Sequence, residues 1–301
     1  MLRRPPTPRP MSPPTRYRTL FLSDLHLGMH GCRAERVLDF LRHHEAETYV
    51  LVGDVVDGWA MARRWFWPQA HNDVVQKLLR LVRKGAVMVY VPGNHDGWAR
   101  QFDGLAFGGI DVRRETVHVT ADGRLLLVLH GDEFDGMIRF APWLATIGAR
   151  AYEVALRLNT VVARVRERFG YDYWSLSNAL KSRTKKALQY VDRFEEAVAR
   201  RAASEGVDGV VCGHIHRPEM RRIETADGAT LYLNCGDWVE NCTALAEHFD
   251  GRLELVRWTA ALTPADAEPV PGDGAGGDVG MPVSFAEIAA AARATSVPVP
   301  A

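Results

Sequence analysis

The stretch RTLFLSDLHLG, residues 18–28, decides how the fold is read. Leu20, Phe21 and Leu22 form an apolar run suited to a buried strand, closed by Ser23. Asp24 and His26 then leave the strand's C-terminal tip two residues apart, and Gly28 follows to turn the chain. Two potential metal ligands on one strand end make one corner of an inorganic site at the rim of a parallel sheet. Taken alone, Asp-x-His reads more simply as a capping aspartate beside a solvated histidine. The rest of the chain decides against that.

The arrangement recurs. Residues 34–43 carry Val37, Leu38 and Leu41 at helical spacing, and a strand at 49–52 ends in GDVVDGW (53–59), which delivers Asp54 and Asp57. Residues 71–84 place Val74, Val75, Leu78 and Val82 on one helical face with Gly85 beyond the end, and a strand at 87–91 runs into PGNHD (92–96). Strand, ligand, helix, repeated, is what a parallel sheet with crossover helices produces, with its active groups on one rim.

The second half reads as more antiparallel. Residues 116–120 and 125–129 flank Asp122-Gly123 as a hairpin, and the second strand ends in HGDEFD (130–135). Residues 137–201 are helical in pattern, interrupted near Gly170. Residues 210–212 run into GHIH (213–216), and hairpins at Asp227-Gly228 and Asp250-Gly251 finish near Trp258. Ligand-bearing strand ends from residue 24 to residue 216 predict one domain over 17–260, with a helical insertion at about 137–201.

The ends of the chain are different. Residues 1–16 are rich in Pro and Arg without an apolar run, so they read as a disordered segment and not as a signal peptide. Residues 261–301 fall to Pro, Gly and Ala and read as mostly disordered, with one short helix at 285–293. No run approaches the roughly 18 apolar residues of a membrane span. A formal net charge of zero leaves any preference for membrane or nucleic acid to a local patch, and nucleic acid is not the expected partner. Four cysteines without CxxC spacing fit a reducing, cytoplasmic compartment.

Collected, the candidate metal ligands are Asp24, His26, Asp54, Asn94, His130, His214 and His216. Imidazoles mixed with hard oxygens and no thiolate suit Mn2+, Fe2+ or Zn2+ in a reactive site better than a structural zinc knot. Seven ligands exceed the needs of one ion with an open position and suit two ions sharing a carboxylate, for which Asp54 is best placed. Two ions roughly 3.5–4 Å apart can activate a water and clamp a phosphoryl group during in-line displacement. His95 is the candidate catalytic partner, donating a proton to the leaving oxygen or steadying charge on phosphorus. Asp57 and Asp96 are expected to orient ligand histidines. Asp132 and Asp135 do the same or cap the segment that follows. His43, His44, His118 and His248 carry no chemistry in this reading.

In the order DxH, GDxxD, GNHD, HG and GHxH, each after a β-run, these motifs resemble the calcineurin-like metallophosphoesterase superfamily over residues 19 to about 258. The resemblance implies an α/β fold, a four-layer α/β/β/α sandwich of two mixed sheets. It implies that Asp24, His26, Asp54 and His216 hold one ion, and Asp54, Asn94, His130 and His214 the other. SDLHLG, GNHD, the insertion and NCGDWVENCTAL (234–245) together most resemble the UDP-2,3-diacylglucosamine diphosphatase group of lipid A biosynthesis. Enzymes of that group release UMP and a diacylglucosamine 1-phosphate, with Mn2+. The chain departs from the best-known branch, which carries Arg in place of His95 and is shorter at both ends.

A nucleotide-linked lipid finds support elsewhere in the chain. Residues 137–201 hold thirteen basic and six acidic residues, a local excess of seven positive charges interleaved with apolar ones. Such helices can lie on an anionic membrane, cover acyl chains, or simply pack on one another. Trp59, Trp65, Phe66 and Trp67 form either an apolar wall for substrate or a satellite core. Candidate substrate contacts are Trp59, Trp67, His71, Tyr173, Ser175, Asn178, Lys181 and Lys185. A phosphodiesterase or nuclease on soluble nucleotides is the alternative, and a non-catalytic scaffold a third reading that the intact ligand set disfavours.

Overall fold

The computed structural model describes residues 13–136, 176–226 and 228–258, with side chains of 176–187 excluded. Two sheets carry the fold. The first contains β1 (Thr15–Leu22), β2 (His44–Val52), β3 (Val87–Val91), β4 (Ala106–Phe107), β5 (Ile110–Val112), β11 (Thr243–Glu247) and β12 (Leu253–Arg257), in the order β12-β11-β1-β2-β3-β5-β4. Its centre, β1-β2-β3-β5, is parallel and its flanks are antiparallel. The second contains β6 (Thr116–Val119), β7 (Leu125–Val128), β8 (Gly209–Cys212), β9 (Glu219–Thr225) and β10 (Gly228–Asn234), in the order β6-β7-β8-β10-β9.

Strict alternation along continuous apolar runs builds the layers. Phe21, Val50, Val52 and Val91 of the first sheet meet Leu126, Val128, Val211 and Leu233 of the second in the central core. Their neighbours Leu20, Leu22, Tyr49, Leu51 and Met88 face the other way, onto α1 (Ala34–His43) and α3 (Gln69–Arg83). On the far side Leu127, Leu129, Val210 and Tyr232 pack against Phe194 and Val198 of α4 (Leu176–Ser204). The result is the expected α/β/β/α sandwich of two mixed sheets.

Several local expectations change. Thr15 and Arg16, read with the disordered N-terminal segment, open β1 and pair with His44 and Glu45 of β2. The second sheet is parallel through its middle, because β7, β8 and β10 run together and only the hairpins at its edges are antiparallel. α3 starts at Gln69 behind Pro68, two residues before the helical run read from 71, and Asp73 within it accepts from Gln69 Nε2 at 2.8 Å. A six-residue helix, α2 (Gly58–Arg63), follows Asp57, whose Oδ1 caps it by accepting the Ala60 amide at 2.7 Å. The N-terminal residues 1–12, the tail with the short helix expected at 285–293, and the insertion from 137 to 175 lie outside the described residues.

Candidate metal centre

The C-terminal ends of β1, β2, β3, β7 and β8 open onto one rim, and each releases its candidate ligands in the first turn beyond the strand. Extended backbone cannot crowd so many side chains onto one point. Among the described residues six non-glycines have a left-handed φ, and five of them are Asp24 (54°), His26 (52°), Asp54 (51°), His214 (68°) and His216 (53°). Each such residue costs of the order of 1 kcal/mol, so hydrogen bonds must hold it. Asp24 N donates to Gly53 O and His26 N to Asp54 O, tying the β1 tip to the β2 tip. Asp96 accepts the amides of Gly93, Asp54, Val55 and Val56, fastening the β2 and β3 loops together. Asn241 Nδ2 donates to His216 O at 2.9 Å.

The donor atoms fall into two groups joined by Asp54. In the first, Asp24 Oδ1 lies 3.1 Å from His216 Nε2 and 3.7 Å from His26 Nε2, and the two imidazole Nε2 atoms approach to 3.2 Å. In the second, Asp54, His130 and His214 offer ligand atoms within 4.8 Å of one another. Asp54 Oδ2 is 3.9 Å from His26 Nε2 and 3.3 Å from His130 Nε2. Asn94 lies in the same β3 loop, half-buried.

These residues fit divalent cations. Asp24 Oδ1, Asn94 Oδ1 and His130 Nε2 are buried and make no well-aligned hydrogen bond, although Asp24 Oδ1 and His130 Nε2 each face an ionisable neighbour, and such an arrangement is costly unless a cation takes the lone pairs. Tautomers agree: His130 Nδ1 donates to Val52 O at 2.9 Å and His26 Nδ1 contacts Asp57 Oδ2 at 3.1 Å, so each ring turns Nε2 inward. The electrostatics also match. Burial alone would raise the Asp24 carboxyl, but the charge and hydrogen bond of His216, with His26, hold it well below its ordinary value. Burial likewise opposes charging of His26, yet its bonds to Asp24 and Asp57 push it up to about 10.

A model of the calcineurin-like phosphoesterases matches residues 17–218, two-thirds of the chain. The chain belongs to this family. A UDP-2,3-diacylglucosamine hydrolase of Xanthomonas campestris pv. campestris is 26% identical over 246 residues, covering 77% of this chain and 96% of the relative. One of Cellvibrio japonicus is 28% identical over 236 residues, covering 73% and 90%. Among solved structures, Vacuolar Protein Sorting 29 from Cryptosporidium parvum aligns over 79% of this chain and 95% of its own, at 12% identity and a TM-score of 0.36. The family defines a hydrolase of phosphoric esters or anhydrides that works with divalent metal ions.

Around the phosphoesterase centre the other expected residues separate. His95 stands at the rim, its Nε2 3.9 Å from Asp54 Oδ2 and its Nδ1 2.9 Å from Asp57 Oδ1. Asp57 thus bridges His26 and His95, as expected of an orienting carboxylate. Asp96 does not orient a histidine through its hydrogen bonds: they go to backbone amides, because it is enclosed by two turning loops. Asp132 pairs with Arg100 at 2.6 Å, whereas Asp135 Oδ1 lies 2.9 Å from His214 Nε2. Trp59, 52% exposed, lays its ring against His95 at 4.3 Å. Trp67 belongs to the satellite-core alternative, packed on the helical core and edge-on to His71. The expectation that His71 touches substrate gives way: it is 2% exposed, and its Nδ1 accepts the Gly28 amide at 2.9 Å. Tyr173 and Ser175 lie outside the described residues. Asn178, Lys181 and Lys185 lie on the first turns of α4, their side chains outside the description.

Sequence reading passed over Ser23, whose Oγ donates to Val52 O at 2.6 Å, and Asn234, whose Nδ2 donates to Gly213 O at 2.8 Å. It also passed over Asp237, which accepts the amides of Val239 and Glu240 and so shapes the turn that carries Asn241. The run NCGDWVENC held that signal as an Asp-led turn.

Proposed function

We propose that this phosphoesterase hydrolyses the pyrophosphate of UDP-2,3-diacylglucosamine to UMP and 2,3-diacylglucosamine 1-phosphate. Mn2+ is the proposed metal, with Asp24, His26, Asp54 and His216 holding one ion and Asp54, Asn94, His130 and His214 the other. The observation that carries the dinuclear reading is Asp54 Oδ2, within 4 Å of an imidazole from each donor group. The names of the relatives support the substrate. When bound, two such ions supply Lewis-acid stabilisation of phosphoryl oxygens and an acidified water.

The chain's own residues do the rest. His95, its Nδ1 2.9 Å from Asp57 Oδ1, presents Nε2 at the rim as a donor to charge developing on the reacting phosphate. A phosphate leaving group, with a second pKa of about 6, needs little proton donation, so charge stabilisation is its main task with a pyrophosphate. Trp59 shields one face of that imidazole and offers an apolar surface to the lipid. Tyr173, Ser175, Asn178, Lys181 and Lys185 are proposed to contact nucleotide and diphosphate. The catalytic domain is proposed to span 17–260, with the basic insertion at 137–201 drawing it to the anionic cytoplasmic face of the membrane. Among the described residues no helix is long and apolar enough to cross a bilayer.

Incubating Mn2+-loaded protein with UDP-2,3-diacylglucosamine should yield UMP, detectable by mass spectrometry, and Asp54→Asn should remove that yield by orders of magnitude. Turnover of bis-p-nitrophenyl phosphate without UMP release would refute the lipid substrate while leaving the phosphoesterase chemistry intact.

A further inference from the structure

We infer that Asp135 and Tyr190 are positioning residues for His214, an inference that rests on the proposed role of His214 as a metal ligand. Asp135 follows the short 3-10 turn Asp132–Phe134, just beyond the β7 tip that carries His130. Tyr190 lies on α4, 55 residues away, buried at 4% exposure. One carboxylate oxygen serves both: Tyr190 OH donates to Asp135 Oδ1 at 2.6 Å, and the same atom lies 2.9 Å from His214 Nε2.

The consequence for His214 follows from imidazole chemistry. A ring that donates its Nε2 proton to a carboxylate keeps a lone pair on Nδ1 alone, so the carboxylate chooses the tautomer and raises the basicity of the remaining nitrogen. The ring is buried and packs against the rings of Phe194 at 5.9 Å and His130 at 5.2 Å, which limits the room for it to turn. Asp135, however, is 34% exposed, and water competes for its oxygens. Tyr190 supplies what is missing. Its ring is fixed in the core with Phe134, Val191 and Phe194, and its hydroxyl pins the carboxylate from the buried side. Apolar packing does not explain that hydroxyl, since phenylalanine would fill the same volume; Asp135 does.

The test titrates Mn2+ into metal-free full-length protein and reads free Mn2+ by electron paramagnetic resonance, beside thermal melting of the metal-free forms. Wild type should take up two ions. Asp135→Ala should weaken one of them about 10- to 100-fold, the usual effect of removing a partner behind a ligand. Tyr190→Phe, which preserves shape, should weaken the same ion by about 3- to 10-fold, a smaller share of that effect because the carboxylate stays. If Tyr190 acts through Asp135, the double variant should bind no worse than Asp135→Ala. Unchanged affinities in both variants, with wild type taking up two ions, overturn this inference alone. So does a double variant whose losses simply add, since Tyr190 would then act elsewhere. Wild type that takes up no Mn2+ overturns it together with the dinuclear reading. A lowered melting temperature in Tyr190→Phe without a change in affinity marks a merely structural hydroxyl and also overturns it.

Discussion

Gly93→Ala is the sharpest test of the proposed centre, because its effect is set by sterics and not by charge. A Cβ built on Gly93 would stand 2.2 Å from Asp54 Oδ1 and 2.7 Å from both Cδ2 and Nε2 of His130. Ordinary contact begins about 1 Å farther out, so one methyl group must drive apart the shared carboxylate and a histidine that the proposal places on one ion. Neither can yield cheaply: Asp54 Oδ1 accepts the His95 amide at 2.8 Å, and His130 Nδ1 is tied to Val52 O. Misplacing catalytic groups by about 1 Å costs roughly 100-fold in rate, and Mn2+ affinity should fall by about 10- to 100-fold. Gly97→Ala is the control, four residues on, with open space around its Cβ and no left-handed φ. It should stay within about twofold of wild type, as a surface change of under 0.5 kcal/mol would. The assay is hydrolysis of bis-p-nitrophenyl phosphate across a Mn2+ series. A Gly93→Ala protein keeping a third of wild-type turnover at unchanged metal affinity would show that Asp54 and His130 do not share an ion.

Other expectations follow from single contacts. His95→Ala should cost more on esters with an alkoxide leaving group than on a pyrophosphate; equal losses on both would contradict charge stabilisation as its main task with the pyrophosphate. Asn241→Ala removes the bond that holds His216 in its left-handed backbone and should weaken Mn2+ uptake several-fold while leaving the far-ultraviolet spectrum unchanged; unaltered uptake would exclude that role. Glu247, fully buried, accepts from Arg18 at 2.6 Å and pairs with His118 at 2.7 Å. Burial alone would raise its carboxyl, but His118, Thr19 and the Ala121 amide bring it to about 2 from 4.5. A depressed folded value means stabilisation present above 4.5 and lost as pH falls toward 2. Glu247→Gln should therefore cost about 2 kcal/mol at pH 7, less than the full shift because the amide keeps part of the hydrogen bonding. Denaturant unfolding should show that gap closing in acid, and a gap constant with pH would argue against an ionised Glu247.

Much of this was legible in the chain because buried parallel strands leave continuous apolar runs, and ligands in the first turn beyond them inherit the strand's position. Leu20–Phe21–Leu22 before Asp24, and Val210–Val211–Cys212 before His214, are both of this kind. What escaped lacks local periodicity. The first residues of β1 are exposed and polar and find their partner only in β2, so Thr15 and Arg16 looked like part of the disordered segment. The parallel centre of the second sheet was hidden because β7 and β8 are joined through residues 129–208, whereas the hairpins at its edges announce themselves within a few residues. Tyr190 and Asn241 act on partners 55 and 25 residues away, and a tyrosine on a helical apolar face or an asparagine in a turn carries no mark of that duty.

The left-handed backbone at five proposed ligands explains why the motifs are rich in glycine beside Asp and His. Turning Asp54 inward brings His130 against the preceding residue, where a Cβ would meet Nδ1 at 2.1 Å, so position 53 admits only glycine. Turning His214 inward brings Ser23 Oγ to 1.8 Å and Asp24 Oδ2 to 2.4 Å from the Cβ that Gly213 lacks. The glycines are the room into which neighbouring ligands fold, and flexibility is not their purpose. Asp96 serves the same geometry from behind, its carboxylate gathering four amides of the Gly53 and Gly93 loops. GDxxD and GNHD are therefore one structural unit split across 40 residues of chain, with its ligands on one face and its fastenings on the other. Their joint occurrence points to the centre where either motif alone would not.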